Sequence, residues 1–190
     1  MRKKHRAKHG GASHGGTWGS ILSEKRRISL FGDVNKKCAY NIIKALRVFN
    51  EESESKKIYL FIDSLGGYSD SGHRIAEAIR ASKAPVYGIV MWAACSVAFE
   101  ILQVCKKRIA SHKGAEVMCH GPDLADIQVD EADRDTKIKK REEEHTDFLR
   151  QIVARSKGKL SFEMMCGLSR KEEDILAPRA LQLGLLDQVM

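Results

Sequence analysis

The chain has 190 residues, 43% of them hydrophobic and 31% charged, with 5 cysteines and a formal net charge of +8. That length supports one domain with a real core, and the balance is ordinary for a soluble globular protein. No apolar run approaches the roughly 18–20 residues needed to cross a bilayer, which argues against a helical membrane protein, and the basic start has no continuous apolar stretch behind it, which argues against a secretory signal.

The charge sits at one end. Residues 1–27 hold eight Lys/Arg against the single acid Glu24, a net +7, and the remainder nets only +1. Residues 1–26 read as a basic, flexible arm, with His5, His9 and His14 and five glycines between positions 10 and 19. The histidines lack the partners and spacing of a metal site, and none is expected. Such an arm can touch nucleic acid or an acidic partner surface, or be no more than a solvated extension. The cysteines (38, 95, 105, 119 and 166) form no CxxC pair, and several lie in apolar runs. A reducing, cytoplasmic setting without disulfides follows.

From residue 27 onward a single domain is expected. Arg27–Phe31 reads as a short strand ending at Gly32-Asp33. Ala39, Ile42, Ile43, Leu46 and Phe49 recur at helical spacing between Asn35 and about Asn50, and Glu51–Lys57 reads as a polar loop. Ile58–Ile62 is a continuous apolar run, the mark of a strand buried on both faces, broken by Gly66-Gly67. A helix over about Ser69–Ser82 is stopped by Pro85 and followed by a second buried strand, Val86–Trp92. Ser96–Val104 reads as an apolar helix, with Arg108–Ala110 and Glu116–Cys119 as short strands. Beyond Pro122 the chain is heavily charged. From about Asp130 to Ser156 it reads as one long helix whose apolar positions (Ile138, Phe148, Leu149, Ile152, Val153) cluster late, either projecting onto another subunit or lying solvated on the surface. The last segment, 177–190, carries a short helix, a stop at Gly184 and a final strand. Alternating strands and helices make this an α/β fold.

Three features could carry chemistry. The Gly66-Gly67 turn, closing a buried strand, could aim backbone N–H groups at an oxyanion, or be an ordinary strand-to-helix turn. Ser96, opening a helix after a buried strand, could be a nucleophile or a plain N-cap. His120, before Gly121-Pro122, could be a general base or a structural turn histidine. Cys95 beside Ser96 is a second possible nucleophile, which would leave Ser96 as the cap. Together, turn, serine and histidine are the parts of a serine hydrolase. No GxSxG, P-loop, GxGxxG or HExxH pattern competes with them.

At these residues the chain resembles the proteolytic subunit of the Clp protease, ClpP, and its phage-encoded relatives, over roughly residues 26–190. Ile58–Gly72 (IYLFIDSLGGYSDSG) resembles that family's strand, Ser-Pro-Gly-Gly turn and following helix. Lys83–Ser96 (KAPVYGIVMWAACS) resembles its strand to the Ala-Ala-Ser nucleophile, Glu116–Pro122 (EVMCHGP) its histidine strand, and Leu181–Val189 (LQLGLLDQV) its terminal element. The resemblance implies a ClpP/crotonase-type fold of repeated strand-strand-helix units with a long projecting helix. It implies Ser96 as nucleophile, His120 as base, and Gly67 and Val97 as oxyanion donors. The spacing from Ser64 to Ser96 matches the family without a gap, and Cys95 falls where the family has alanine. Leu65 replaces the turn proline, Val97-Ala98 replaces Met-Gly, and Trp92 replaces a glycine. The family's third triad residue, an aspartate, falls on Leu168 or Ser169, with Glu172, Glu173 and Asp174 a few residues late, so Asp174 is the candidate acid.

The implied function is a serine endopeptidase acting on unfolded polypeptides. A Clp-type AAA+ unfoldase partner would deliver them and use the ATP, and this chain would need no cofactor. Homo-oligomeric heptameric rings, paired as a tetradecamer through the long helix, are implied, with no membrane or nucleic-acid partner. A chain without the acid has an alternative role, a catalytically impaired subunit with a structural or regulatory place in a mixed ring. An acyl-CoA-handling crotonase-like enzyme is a third reading, disfavoured by the Ser96/His120 pair.

Overall fold

The parallel strands are buried because helices cover one face of the sheet and a smaller apolar cluster the other. A computed structural model describes residues 25–122 and 131–190. The strands are β1 (Arg27–Phe31), β2 (Ile58–Ser64), β3 (Val86–Cys95), β4 (Lys107–Ala110), β5 (Glu116–Met118), β6 (Ile175–Leu176) and β7 (Gln188–Val189). The helices are α1 (Lys36–Glu52), α2 (Ser69–Arg80), α3 (Val97–Val104), α4 (Glu131–Arg155), α5 (Phe162–Lys171) and α6 (Ala177–Gln182). The sheet runs β1-β2-β3-β4-β7, all parallel, while β5 pairs parallel with β3 and antiparallel with β6. The result is a mixed α/β fold, as the alternation of strands and helices predicts. No described helix is long and apolar enough to cross a membrane.

Strand β3 is longer than its apolar run suggests. The Val86–Trp92 expectation ends three residues early, because β3 changes partners along its length. Tyr87–Val90 pair with β4, and Ala93–Cys95 pair with β5. Between these halves the register against β2 slips, from Ile62 opposite Val90 to Ser64 opposite Ala94. The extra residues bulge outward, leaving Trp92 48% exposed and its ring against His112, with centroids 4.3 Å apart. Asp63 accepts from Ala93 N–H at 3.3 Å, and Ser111 Oγ donates to the Met91 carbonyl at 2.8 Å, so the bulge is tied on both sides.

Other boundaries move for local reasons. Asn35 caps α1 by accepting from Cys38 N–H at 2.9 Å, an interaction worth about 1 kcal/mol, and α1 runs on to Glu52 through residues expected in the loop. Helix α5 and strand β6 were not anticipated. The usable signal for α5 was Ser161, which caps it by accepting from Met164 N–H at 3.1 Å.

Residues 1–24 of the expected arm, and the expected helix start at Asp130, lie outside the described residues. Arg26, counted with the arm, is buried in the body. It donates to the carbonyls of Ser53, Lys56 and Lys57, meets Glu52, and lies over the Phe49 ring at 5.2 Å. The late apolar stripe of α4 behaves as its sequence predicts, with Leu149 and Ile152 buried and most of the residues from Asp133 to Glu144 exposed.

Candidate active site

Three neighbouring parallel strands end together at one sheet edge. Ser64 at the end of β2 lies opposite Ala94, and Cys95 at the end of β3 lies opposite Met118 of β5. The residues that follow these strands, Gly66-Gly67, Ser96 and His120, are therefore delivered to one place. Carboxyl ends of parallel strands are where α/β sheets build their sites.

Ser96 occupies the N-cap position of α3, yet its side chain makes no capping bond. Its backbone has φ 55° and ψ −130°, a strained conformation for a residue with a Cβ. The strain is held by Ser96 N–H donating to the Met118 carbonyl at 2.9 Å and by the Ser96 carbonyl accepting from Phe99 at 3.0 Å. This sharp turn aims the hydroxyl at His120, whose Nε2 is 2.7 Å from Ser96 Oγ. The cap reading of Ser96 thus loses to the hydrogen bond with histidine. Both residues are half-buried, so the pair is reachable from solvent.

The other ring nitrogen fixes the tautomer. His120 Nδ1 is 2.5 Å from the Gly121 carbonyl, which can only accept, so Nδ1 carries the proton. Nε2 is then free to accept from Ser96. A backbone carbonyl thus holds the imidazole where a carboxylate was sought. Asp174 makes no hydrogen bond to His120; its charge is felt at Cys95 instead. Leu168 and Ser169, the positions matching the acid, are both buried and neutral.

The glycine turn packs directly on the serine. A Cβ on Gly66, at φ 110°, would stand 2.6 Å from Ser96 Cβ and 3.1 Å from its Oγ. A Cβ on Gly67, at φ 147°, would stand 2.5 Å from the Val34 carbonyl oxygen. Val34 clamps the turn from outside, donating to the Gly66 carbonyl and accepting from Tyr68 N–H, both at 2.8 Å. Gly66 N–H is taken by Ser64 Oγ at 3.1 Å. Among the described residues, neither Gly67 N–H nor Val97 N–H donates to a protein acceptor. These two donors flank the serine, Val97 at the positive end of α3, and can hold a developing oxyanion.

Cys95 is not equipped to compete. It is 2% exposed, and burial pushes its thiol up to about 12, with Glu116, Asp174 and Asp63 adding to the shift. The thiolate is the reactive form. Iodoacetamide at neutral pH should therefore modify the half-buried Cys38 and Cys166 of the native protein, and reach Cys95, Cys105 and Cys119 only after unfolding, as peptide mass spectrometry would read.

Sequence reasoning missed a polar layer beneath the pair. His145 of α4 bonds Ser169 Oγ of α5 at 3.1 Å, and Cys119 Sγ is 3.9 Å from the same hydroxyl. Burial holds His145 below the ordinary imidazole range, Glu100 opposes this, and the nearby His120 adds to it. His73 of α2 meets Glu100 of α3 at 3.0 Å, and that hydrogen bond raises its pKa. Nothing in the spacing of His145 on a charged helix marks it; only the packing of α4 on α5 brings it there.

The family model described as Clp protease matches residues 11–190. The chain is 30% identical over 168 residues to the ATP-dependent Clp protease proteolytic subunit 2 of Treponema pallidum, covering 88% of this chain and 83% of that one. It is 42% identical over 82 residues to the protein of the same name from Treponema denticola, covering 43% of this chain and 41% of that one. The chain belongs to the Clp protease family.

Proposed function

From that membership we propose that the chain is a serine endopeptidase subunit that hydrolyses peptide bonds of unfolded proteins. The observation that carries this reading is the 2.7 Å hydrogen bond between Ser96 Oγ and His120 Nε2 beside two unpaired backbone donors. Ser96 Oγ attacks the scissile carbonyl carbon while its proton passes to His120 Nε2. The carbonyl oxygen becomes an oxyanion held by Gly67 and Val97 N–H. Collapse breaks the C–N bond, and His120 returns its proton to the departing amine. Water then attacks the acyl-serine, again losing its proton to His120, and the second collapse breaks the C–Oγ bond as His120 returns that proton to Ser96 Oγ, releasing the new carboxylic acid, which ionises in water.

The subunit works in heptameric rings, paired as a tetradecamer through the exposed part of α4, and receives polypeptide from an ATP-consuming AAA+ unfoldase in the cytoplasm. The purified full chain should run as a ring-sized particle by size-exclusion light scattering and hydrolyse fluorogenic peptides. Degradation of a folded protein should need the unfoldase and ATP, and Ser96→Ala should abolish both activities. A monomer at micromolar concentration would contradict the ring.

One observation favours a second reading, an impaired subunit in a mixed ring. Among the described residues the imidazolium formed during attack faces the Gly121 carbonyl and not a carboxylate, which stabilises its charge less. A ring that cleaves no peptide would decide for it.

The turn gives a sharp secondary test. Gly66→Ala would force Ser96 aside, and a displacement of about 1 Å at the nucleophile costs on the order of 100-fold in kcat. Peptide hydrolysis at unchanged ring size would read that loss.

A further inference from the structure

A cavity of about 610 Å³ opens one residue beyond the oxyanion donor Gly67, lined by Asn35, Lys36, Lys37, Tyr68, Asp70 and Arg141 among others. Its closeness to the site is built in. The bridge between Val34 and Gly67 seats Asn35 and the first turn of α1 beside the glycine turn, and Tyr68 is the next residue. Three cations line it against one acid. Among the described residues Lys36 and Lys37 form no ion pair. Arg141 meets Asp70 only at 3.8 Å, beyond hydrogen-bonding distance, and the Asp70 side chain is 90% exposed.

The lysines also break a local rule. The first turn of a helix favours acidic residues because the N-terminal end carries positive potential. The first turn of α1 holds no acid and two lysines, so the helix end and both ammonium groups add rather than cancel. Local rules of this kind are broken chiefly where function requires it.

Resting on the peptidase reading above, we propose that this cavity is a side-chain subsite beside the scissile bond that selects substrates carrying aspartate or glutamate there. A carboxylate entering past Tyr68 meets Lys36 and Lys37 from α1 and Arg141 from α4. Because Arg141 comes from the long helix, placement of that helix sets the depth of the subsite.

The test uses internally quenched peptides that differ only by Glu or Gln at each position around the cleaved bond. The full-length protein should favour Glu at one position by on the order of tenfold, given two exposed lysines and a half-buried arginine. The advantage should shrink in about 0.5 M salt. Lys36→Glu/Lys37→Glu should reverse it and Lys36→Gln/Lys37→Gln should remove it; both sites are exposed, so folding survives. Equal rates for Glu and Gln at every position, with peptides cleaved, overturn the subsite and leave the peptidase standing. If no peptide is cleaved the peptidase reading falls, and fluorescence anisotropy of the same peptides on Ser96→Ala protein decides the cavity. Tighter binding of the Glu peptide, lost in the lysine variants, supports it, and equal binding overturns it.

Discussion

His120→Ala should lower kcat/KM for peptide hydrolysis by about 10⁴-fold, with the protein still folded and assembled. Among the described residues the imidazole is the one group placed to take the Ser96 proton, and its Nε2 lies 2.7 Å from that oxygen. General-base catalysis contributes typically 10²–10⁴, and members of a nucleophile–base unit fail together. Ser96→Ala should therefore cost about as much as His120→Ala, and the double variant little more than either. Residual hydrolysis would come from substrate binding and from the Gly67 and Val97 donors. The comparison needs kcat and KM separately, because loss of the base should fall on kcat. A variant that lost only KM would mean that His120 binds substrate and moves no proton.

Asp187→Ala should destabilise the fold by about 3 kcal/mol, the lower end of the range for breaking a buried pair because Asp187 itself is 31% exposed. Its partner Arg108 is the larger concern, with a side chain 2% exposed. Asp187 accepts from Arg108 Nε at 3.1 Å, from Nη2 at 2.7 Å and from the Arg108 backbone N–H at 2.8 Å. Gln103 Oε1 takes Nη1 at 2.7 Å. Removing the carboxylate strands a guanidinium in the core with, among the described residues, only the Gln103 hydrogen bond left. Chemical denaturation at neutral pH would read the loss as a lower midpoint at unchanged slope.

The same pair fixes a pH dependence. Burial pushes the Asp187 carboxyl up, and the hydrogen bonds and charge of Arg108 more than offset it, so its pKa lies below the ordinary 3.8. A depressed acid contributes stability that is fully present above the unfolded value and is lost as pH falls through the folded one. The wild type should thus lose stability below about pH 4 from this pair, and Asp187→Asn should lose that part of the acid limb.

How much of this was legible depended on whether side chains or backbone carried the signal. The buried strands β2 and β3 showed as apolar runs, and the gap-free spacing from Ser64 to Ser96 gave the register that sets Gly66-Gly67 beside the serine. The end of β3 did not show, because its last three residues are held by β5, a strand distant in sequence, after a bulge at Met91–Ala93. The partner of His120 Nδ1 is a main-chain carbonyl, and no residue type announces that. A search for an acid near position 174 could not have found it. Arg108 of β4 and Asp187, the residue before β7, lie 79 residues apart, and their pairing needed β4 and β7 to be neighbours.

Ser96 should be an activated nucleophile although, among the described residues, no carboxylate hydrogen-bonds His120. Labelling the full-length protein with a fluorophosphonate, followed by peptide mass spectrometry, tests it most directly. The account predicts one adduct, on Ser96, absent in Ser96→Ala and strongly reduced in His120→Ala. A folded, ring-sized protein that takes no label at Ser96 would contradict it.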